Sequence, residues 1–302
     1  MSAPLSFSDA FPDQPVFDAT QFTGRAGLAQ NLLSRCRRGQ SVLLYGGPKL
    51  GKTSMLRHLQ WLIDQDGDAA SGRSAASYVD MADEGARQDF LRGSDRQQTS
   101  IRLLDNCEHL LQERDVIALR GFTPRETFAH ATVWAGSRTW HDAILEKIRT
   151  LTLRRVPLAV LFDGEAQELL NFYLTPHQVT AALTAGGTHP YVLKMIAHEL
   201  RSDFGNPEYA IERAAARLIP FYKMCREALR QPSEHALLQY LMQESRPVAP
   251  QEAARAIGLA IIKPTADALC SLGLMSRWNL KNGAMLHANC RLFNDWYLTS
   301  KI

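Results

Sequence analysis

Residues 46–53 read Gly46-Gly47-Pro48-Lys49-Leu50-Gly51-Lys52-Thr53, which is a G-x-x-x-x-G-K-T pattern. The apolar run 41–45 before it predicts a strand, and the residues from Thr53 onwards predict a helix. A strand, a glycine-rich turn and a helix N-terminus together form an anion cradle, because backbone N–H groups and the helix dipole concentrate partial positive charge there. The stretch therefore predicts a phosphate-binding loop.

The side chains of this loop have separate tasks. In loops of this pattern the lysine reaches the β- and γ-phosphates of a nucleotide, and the following hydroxyl binds Mg²⁺. We therefore assign Lys52 to the phosphates and Thr53 to the metal, and we expect ATP or ADP with Mg²⁺ as cofactors. The residues predicted to bind nucleotide here are Gly46, Gly47, Pro48, Lys49, Leu50, Gly51, Lys52, Thr53 and Ser54.

Composition limits the classes of protein to consider. The chain has 302 residues, a net charge of +3, 45% hydrophobic and 22% charged residues, values that are ordinary for a soluble globular protein. It has no apolar run of the ~18 residues that a membrane span needs and no N-terminal secretory signal, so we expect a cytoplasmic protein without a membrane partner. Five scattered cysteines without C-x-x-C argue against disulfides or zinc. The charge is too small to indicate nucleic acid.

Further apolar runs at 76–81, 101–105, 131–135 and 156–161 predict four more strands. A helix is predicted at 24–38 and another at 124–129, whereas 82–98 is polar and its element stays undecided. Short apolar strands that alternate with helices are typical of a parallel sheet covered on both faces. The fold class is therefore α/β.

The chain divides into four parts. We predict an N-terminal arm at 1–20, a P-loop nucleotide-binding domain at 21–165, a helical lid domain at 166–230 and a winged-helix domain at 231–302. Within the lid, 208–229 is interrupted at Pro220 and predicts two helices. The winged helix rests on helices at 236–242, 250–254 and 264–272, a two-stranded wing at 274–287 and a closing helix at 292–298.

Acidic residues follow the strand 101–105. Asp105 at its end is placed to hold Mg²⁺ opposite Thr53, although an aspartate that caps a turn gives the same pattern. Many ATPases place a glutamate directly after this aspartate to orient the attacking water, and here that position is Asn106. An amide can hold a water but cannot take its proton, so we expect slow hydrolysis. Glu108 is either a substitute or a solvated helix residue.

Three other pieces stand in suitable chain order. Arg138 follows the strand 131–135 and could bond phosphate oxygens bidentately, or could be a surface arginine. Gly24-Arg25 stands upstream of the phosphate loop and could bring backbone near the adenine. The turn Gly186-Gly187-Thr188-His189-Pro190-Tyr191 opens a helix that could cover a nucleotide base, or is a helix entry only.

These motifs together resemble the signal-transduction ATPases with numerous domains (STAND), a branch related to the AAA+ ATPases, and the short prokaryotic members most of all. The resemblance covers about 20–300 and rests on F-T-G-R, G-G-P-K-L-G-K-T, L-L-D-N-C-E-H-L, A-G-S-R and G-G-T-H-P-Y. It implies that Gly24, Arg25 and Pro190 flank the adenine and that Arg138 senses the γ-phosphate. It also implies that His189 approaches the phosphates in the ADP-bound form.

The expected function is an ATP-binding switch or assembly ATPase with weak hydrolysis, in which Lys52, Asp105, Asn106 and Arg138 are the catalytic candidates. The output would lie in trans, through an effector protein or self-assembly. An alternative is a DNA-associated ATPase, such as a regulator or mobile-element loader. It is not favoured, because the helix at the recognition position, 263–271, offers few side chains that read bases. A small-molecule kinase is a third alternative. Arg114, Arg120 and Arg125 are candidate arginine fingers.

Overall fold

The computed structural model describes residues 16, 22–66, 76–92, 101–111, 131–138, 153–202, 206–280 and 283–300. The helix predicted at 124–129, the three candidate arginine fingers and, apart from Val16, the predicted arm 1–20 lie outside these residues.

A parallel sheet forms the core of the N-terminal half. Its described strands are β1 (Val42–Tyr45), β2 (Ala76–Asp80), β3 (Ile101–Asp105), β4 (Ala131–Gly136) and β5 (Arg154–Pro157). They pair in the order β2-β3-β4-β1-β5, and all four pairings are parallel. Strand β4 therefore lies between the strand before the phosphate loop and the strand that ends at Asp105. Because parallel strands end at one edge, all the strand-end motifs meet there.

Helices cover both faces of this sheet, as the alternation predicted. They are α1 (Ala26–Arg37), α2 (Lys52–Asp66) and α3 (Glu84–Arg92), and α3 lies in the stretch that the sequence left undecided. One face buries Leu44 and Val133 against Leu59 of α2, and the other buries Leu104 and Trp134 among its apolar residues. Strands buried on both faces explain why their sequences are continuous apolar runs.

The prediction of a fifth strand at 156–161 was wrong in its extent, since β5 ends at Pro157. Leu158 still donates its N–H to the Tyr45 carbonyl, at 2.7 Å, but the chain then leaves the sheet. The Ala159 carbonyl accepts from Arg25, and the Leu161 N–H donates to Thr188. Within this run Leu158 and Leu161 are buried, although neither belongs to a strand, whereas Ala159 is exposed.

Four helices follow, which we call the helical unit: α4 (Asp163–Asn171), α5 (Pro176–Gly186), α6 (Pro190–Ser202) and α7 (Pro207–Glu227). The prediction of two helices at 208–229 was wrong, because α7 continues through Pro220. An interior proline costs about 3 kcal/mol. Burial of Leu218, Phe221 and Tyr222 on this helix offsets that cost, at roughly 1.5–3 kcal/mol for each large apolar side chain.

The remaining residues, 231–300, form the C-terminal unit. It contains α8 (Pro232–Glu244), α9 (Pro250–Ala256), α10 (Lys263–Leu272), β6 (Met275–Leu280), β7 (Gly283–Ala288) and α11 (Arg291–Thr299). Strands β6 and β7 form an antiparallel hairpin, and Val248 adds a bridge to Leu286. One apolar cluster runs from Leu161 to Phe293, so the helical and C-terminal units share a core. None of the described helices is both long enough and apolar enough to cross a lipid bilayer.

Candidate nucleotide site

The phosphate loop has the backbone that its sequence demands. Lys49 and Gly51 both have positive φ, at 57° and 90°, and α2 begins immediately afterwards at Lys52. The Lys52 ammonium donates to the carbonyls of Gly46 and Gly47, at 3.1 and 2.8 Å. Burial lowers the pKa of Lys52, while the charges of Glu108 and Asp105 act to raise it. This ammonium is desolvated and lies in reach of a phosphate chain along the loop.

A pocket of about 400 Å³ opens beside the loop. Its walls bring together predicted residues from distant parts of the chain: Arg25, Pro48, Lys49, Gly51, Lys52, Thr53, Ser54, Asn106 and Pro190. The walls do not include six other predicted residues, namely Gly24, Gly46, Gly47, Asp105, Arg138 and His189, or Leu50, whose carbonyl accepts from Arg25. The Ser54 hydroxyl accepts the Val16 N–H at 3.0 Å, which places Val16 at the start of α2.

Asp105 is fully buried at the end of β3, where two donors fix its carboxylate. The Tyr78 hydroxyl donates to Oδ2 at 2.8 Å, and the Asn106 N–H donates to Oδ1 at 2.9 Å. Burial and the charge of Asp105 raise the pKa of Tyr78, so the phenol keeps its proton for this bond. The Arg57 guanidinium lies 3.4 Å from the centre of the Tyr78 ring. The aspartate is therefore oriented before any ligand binds.

The donor set suits Mg²⁺. Mg²⁺ is usually held by one or two protein groups together with water and substrate phosphates. The fixed carboxylate of Asp105 and the hydroxyl of Thr53 at the start of α2 supply such a pair, and the charge of Asp105 is felt at the neighbouring Lys52. When bound there, the ion would neutralise charge on the β- and γ-phosphates.

Asn106 lines the pocket, but its side-chain amide is already bonded to a neighbouring residue. Its backbone is left-handed, with φ of 50°, and its Nδ2 donates to Asp80 Oδ1 at 2.8 Å. This contact ties the end of β3 to the end of β2. The bond uses one of the two N–H groups of the amide, so the second N–H and Oδ1 remain for the predicted role of holding the attacking water.

Glu108 lies on the pocket wall, a position that the sequence left open. A 3-10 helix at Cys107–Leu111 follows β3 directly and brings Glu108 toward the end of β4. Its Oε2 accepts the Ser137 N–H at 3.2 Å. Of the two carboxylates that raise the pKa of Lys52, Glu108 has the larger effect.

Arg138, the predicted γ-phosphate sensor, is held by the C-terminal unit. Its Nη2 donates to Glu234 Oε1 of α8 at 2.8 Å, and Glu234 is only 1% exposed. The second oxygen of Glu234 accepts the Arg230 N–H at 2.9 Å. Burial alone would raise the pKa of Glu234, but the hydrogen bonds from Arg138 and Arg230 outweigh it and lower the pKa. Nη1 of Arg138 is buried without a hydrogen-bond partner among the described residues.

Arg25 connects three segments of the chain beside the pocket. Its guanidinium donates to the carbonyls of Leu50 and Ala159, both at 2.6 Å, which joins the phosphate loop to the chain after β5. Its N–H donates to Glu165 of α4 at 2.5 Å, and Gly24 turns beside it with φ of 74°. Burial lowers the pKa of Arg25 to about 10, against the opposing charge of Glu165, so the side chain stays charged at neutral pH.

His189 is buried at 2% exposure between the helical and C-terminal units. Its ring lies 5.0 Å from that of Phe221, and a Cβ on Gly273 would meet its Cδ2 at 3.0 Å. Burial, together with the charges of Arg25 and Lys52, lowers the pKa of His189 to about 3. The imidazole is therefore neutral and does not act as a cation for phosphate in this arrangement.

Two residues of α6 line the pocket although they were not among the predicted site residues. Tyr191 lies beneath the Lys49 ammonium, 5.4 Å from the ring centre, and Lys194 lines the pocket with a pKa lowered by burial. Lys194 is four residues after Pro190, so the helical period places Lys194 on the same face of α6 as Pro190. That period was the available signal.

The C-terminal unit also touches the phosphate loop itself. The Gly47 N–H donates to the Ser271 carbonyl in α10 at 2.7 Å. A Cβ on Gly47 would lie 2.5 Å from the Leu272 carbonyl oxygen, which shows how closely the two backbones approach. On the helical unit, Thr188 bonds Asn289 Oδ1 through its N–H and hydroxyl, at 3.3 and 3.1 Å. The loop, the helical unit and the C-terminal unit thus meet within a few residues.

Comparison with known proteins supports the fold. No family model matches the chain, and no curated protein matches it. A Walker-type ATPase of Pyrococcus abyssi superposes with a TM-score of 0.58 at 13% identity, over 93% of this chain and 97% of that one. The replication initiator DnaA of Aquifex aeolicus, bound to AMPPCP, gives a TM-score of 0.45 at 16% identity, over 85% and 90% of the two chains. The first likeness shows that this chain shares the fold of that Walker-type ATPase, in agreement with the α/β fold class and the parallel sheet predicted from the sequence.

The Tyr78–Asp105 bond gives a prediction for this site. We expect Tyr78→Phe to weaken binding of Mg·ATP about tenfold, since a hydrogen bond to a charged group contributes about 1.5–3 kcal/mol. Binding of ATP in excess EDTA should not change, because the bond acts through the metal ligand. Titration calorimetry with and without Mg²⁺ measures both values. Equal losses in the two titrations would contradict the assignment of Asp105 to the metal.

Proposed function

We propose that this protein is an ATP-binding switch of the STAND and AAA+ type, with slow hydrolysis, whose nucleotide sets the position of the C-terminal unit. The observation that carries the proposal is the ion pair between Arg138 and Glu234. It joins the strand-end arginine of the nucleotide core to a buried carboxylate of the C-terminal unit. ATP and Glu234 then compete for one guanidinium.

The competition is energetically strong enough to move a domain. Arginine binds phosphate bidentately, as it binds carboxylate, so a γ-phosphate is a competitor of the same kind as Glu234. If Arg138 turned to a γ-phosphate, Glu234 would be left buried and unpaired, and breaking a buried pair costs about 3–5 kcal/mol. Moving α8 into water removes that cost. ADP lacks the γ-phosphate and leaves the pair intact, so the two nucleotides favour different arrangements.

Within the pocket the side chains have separable roles. Lys52 bonds the phosphate chain, Thr53 and Asp105 hold Mg²⁺, and Arg25 keeps the loop in place through the Leu50 carbonyl. Gly24 and Pro190 stay assigned to the adenine side. His189 was predicted to approach the phosphates in the ADP-bound form, and its burial against Phe221 and Gly273 supports a role in the contact between the units instead. We propose that the output is a partner protein in trans or a second copy of the chain, which binds a surface exposed when the C-terminal unit moves.

The DNA-associated alternative finds less support. Helix α10 stands at the recognition position of the proposed winged helix, yet Ala266, Leu269 and Leu272 of this helix are buried. Its C-terminal end contacts the phosphate loop through Ser271. While this contact holds, the C-terminal end of α10 is packed against the loop and does not face solvent as a groove-binding helix would. Salt-dependent retention of duplex DNA by the purified protein would restore this alternative.

Glu234→Gln tests the proposed competition. The substitution keeps the shape of the side chain but removes the charge, so we expect affinity for a non-hydrolysable ATP analogue to rise about tenfold, within the usual range of allosteric coupling. Affinity for ADP should change less than twofold, since ADP does not reach Arg138. Titration calorimetry gives both constants.

The matched control is Glu252→Gln, which removes an exposed pair with Arg246 in the same unit and should change neither constant. X-ray scattering with ADP and with the analogue measures the accompanying movement. A larger radius of gyration with the analogue is expected. Identical scattering curves, together with an unchanged ratio of affinities in Glu234→Gln, would refute the switch.

A further inference from the structure

Hydrolysis of ATP is accelerated by a group that orients the attacking water and takes its proton. The position next to Asp105 does not provide one, because Asn106 is an amide whose Nδ2 is bonded to Asp80. The carboxylate must come from another part of the pocket.

Glu108 has the required placement. It lies on the wall of the nucleotide pocket, and its charge is felt at Lys52, which is assigned to the β- and γ-phosphates. The Ser137 N–H holds Oε2 at 3.2 Å, next to Arg138, the predicted γ-phosphate sensor. This carboxylate is therefore close to both the phosphate lysine and the end of β4.

The neighbouring carboxylates of the described residues are committed elsewhere. Asp105 is buried, bonded to Tyr78 and assigned to the metal. Asp80 does not line the pocket, and its Oδ1 accepts from Asn106 and from the Ala82 N–H. Glu165 accepts the N–H groups of Arg25 and Phe162, one on each oxygen. By this comparison Glu108 is the carboxylate that remains for the reacting water.

We propose that Glu108 is the catalytic base of ATP hydrolysis, an inference that rests on the proposed ATPase function. The water oxygen bonds to the γ-phosphorus while the bond from that phosphorus to the β–γ bridging oxygen breaks. ADP leaves with the electron pair of that bond, and the water proton passes to the Glu108 carboxylate. The Ser137 N–H positions the carboxylate for this transfer.

The structure also explains how the base can be found three residues after Asp105. The left-handed backbone of Asn106 turns the chain at the end of β3, and the 3-10 helix starts at Cys107. Cys107 packs into the apolar core while Glu108 is half-buried at the pocket. A sequence search that expects the acid directly after Asp105 therefore finds an asparagine.

Glu108→Gln tests this proposal. A glutamine oxygen can still accept the Ser137 N–H, but it cannot take a proton, so we expect the single-turnover rate of ATP hydrolysis to fall about 100-fold or more. The dissociation constant for Mg·ATP should stay within about twofold, because binding relies on other groups. The variant should therefore retain ATP after rapid gel filtration, whereas the unsubstituted protein yields ADP.

Glu168→Gln is the matched control, since it makes the same chemical change at an exposed position of α4, and it should hydrolyse at the unsubstituted rate. If Glu108→Gln hydrolyses ATP as fast as this control, or if the unsubstituted protein binds Mg·ATP without ever hydrolysing it, Glu108 is not the base and the switch proposal stands. If the unsubstituted protein does not bind Mg·ATP, both proposals fail. Equal loss of binding and turnover would show a structural role and refute the base.

Discussion

Lys52→Ala should remove measurable ATP and ADP binding while raising, or at least not lowering, the melting temperature. The Lys52 ammonium is the group assigned to the β- and γ-phosphates, and each charge-assisted bond contributes about 1.5–3 kcal/mol. Two such bonds correspond to a loss of at least about 100-fold in affinity. The same ammonium is a half-buried charge whose pKa is lowered by burial. Its removal relieves that desolvation, which offsets the loss of its bonds to the Gly46 and Gly47 carbonyls in the protein without ligand.

The opposite signs make this result specific. A variant that loses nucleotide because it unfolds would melt at a lower temperature, whereas a variant that loses only the phosphate contact would not. Calorimetric titration with both nucleotides and a thermal melt without nucleotide are sufficient. Lys223→Ala, on the exposed face of α7, serves as control and should leave both quantities unchanged. ATP affinity equal to that of the unsubstituted protein would place the phosphates elsewhere.

The core of the fold could be predicted because its signals are local. The strands that are buried on both faces are continuous apolar runs. The pattern at 46–53 likewise predicts the conformation of its own loop. The edge strand β5 was placed too late, because an apolar run indicates burial and does not say what buries it. Pro220 does carry the energetic cost of an interior proline, from which two helices were predicted, but the tertiary packing of α7 outweighs that cost.

The site was predictable to the extent that parallel strands end at one edge. Thr53 and Asn106 line the same pocket for that reason, and Asp105 ends the strand beside it. The partners of the site were not predictable, because they are formed by packing between units. Glu234 lies 96 residues after Arg138, and nothing in either local sequence indicates the other. Nor does the sequence around Asn106 reveal its bond to Asp80.

Gly47→Ala should release the C-terminal unit without damaging the phosphate loop. An added Cβ would lie 2.5 Å from the carbonyl oxygen of Leu272. The oxygen is a backbone atom and the Cβ position is fixed by the backbone of residue 47, so neither can rotate away from the clash. The G-x-x-x-x-G-K-T pattern accepts any residue at this position. Gly47 also lacks the positive φ that Gly51 of the same loop has. The clash therefore acts between the units and not within the loop.

The expected result is a larger radius of gyration without nucleotide, faster limited proteolysis between the units and a rise in ATP affinity of about tenfold. The gain arises because ATP no longer has to displace the contacts at Ser271 and Glu234. Gly27→Ala is the control, since a Cβ there meets no atom within 4 Å. If Gly47→Ala binds ATP more weakly than Gly27→Ala and keeps its compact scattering curve, the loop itself has been damaged. The C-terminal unit would then be a fixed part of the nucleotide site and not a switch, since a unit that moves in response to the γ-phosphate must also respond when its contact with the loop is removed.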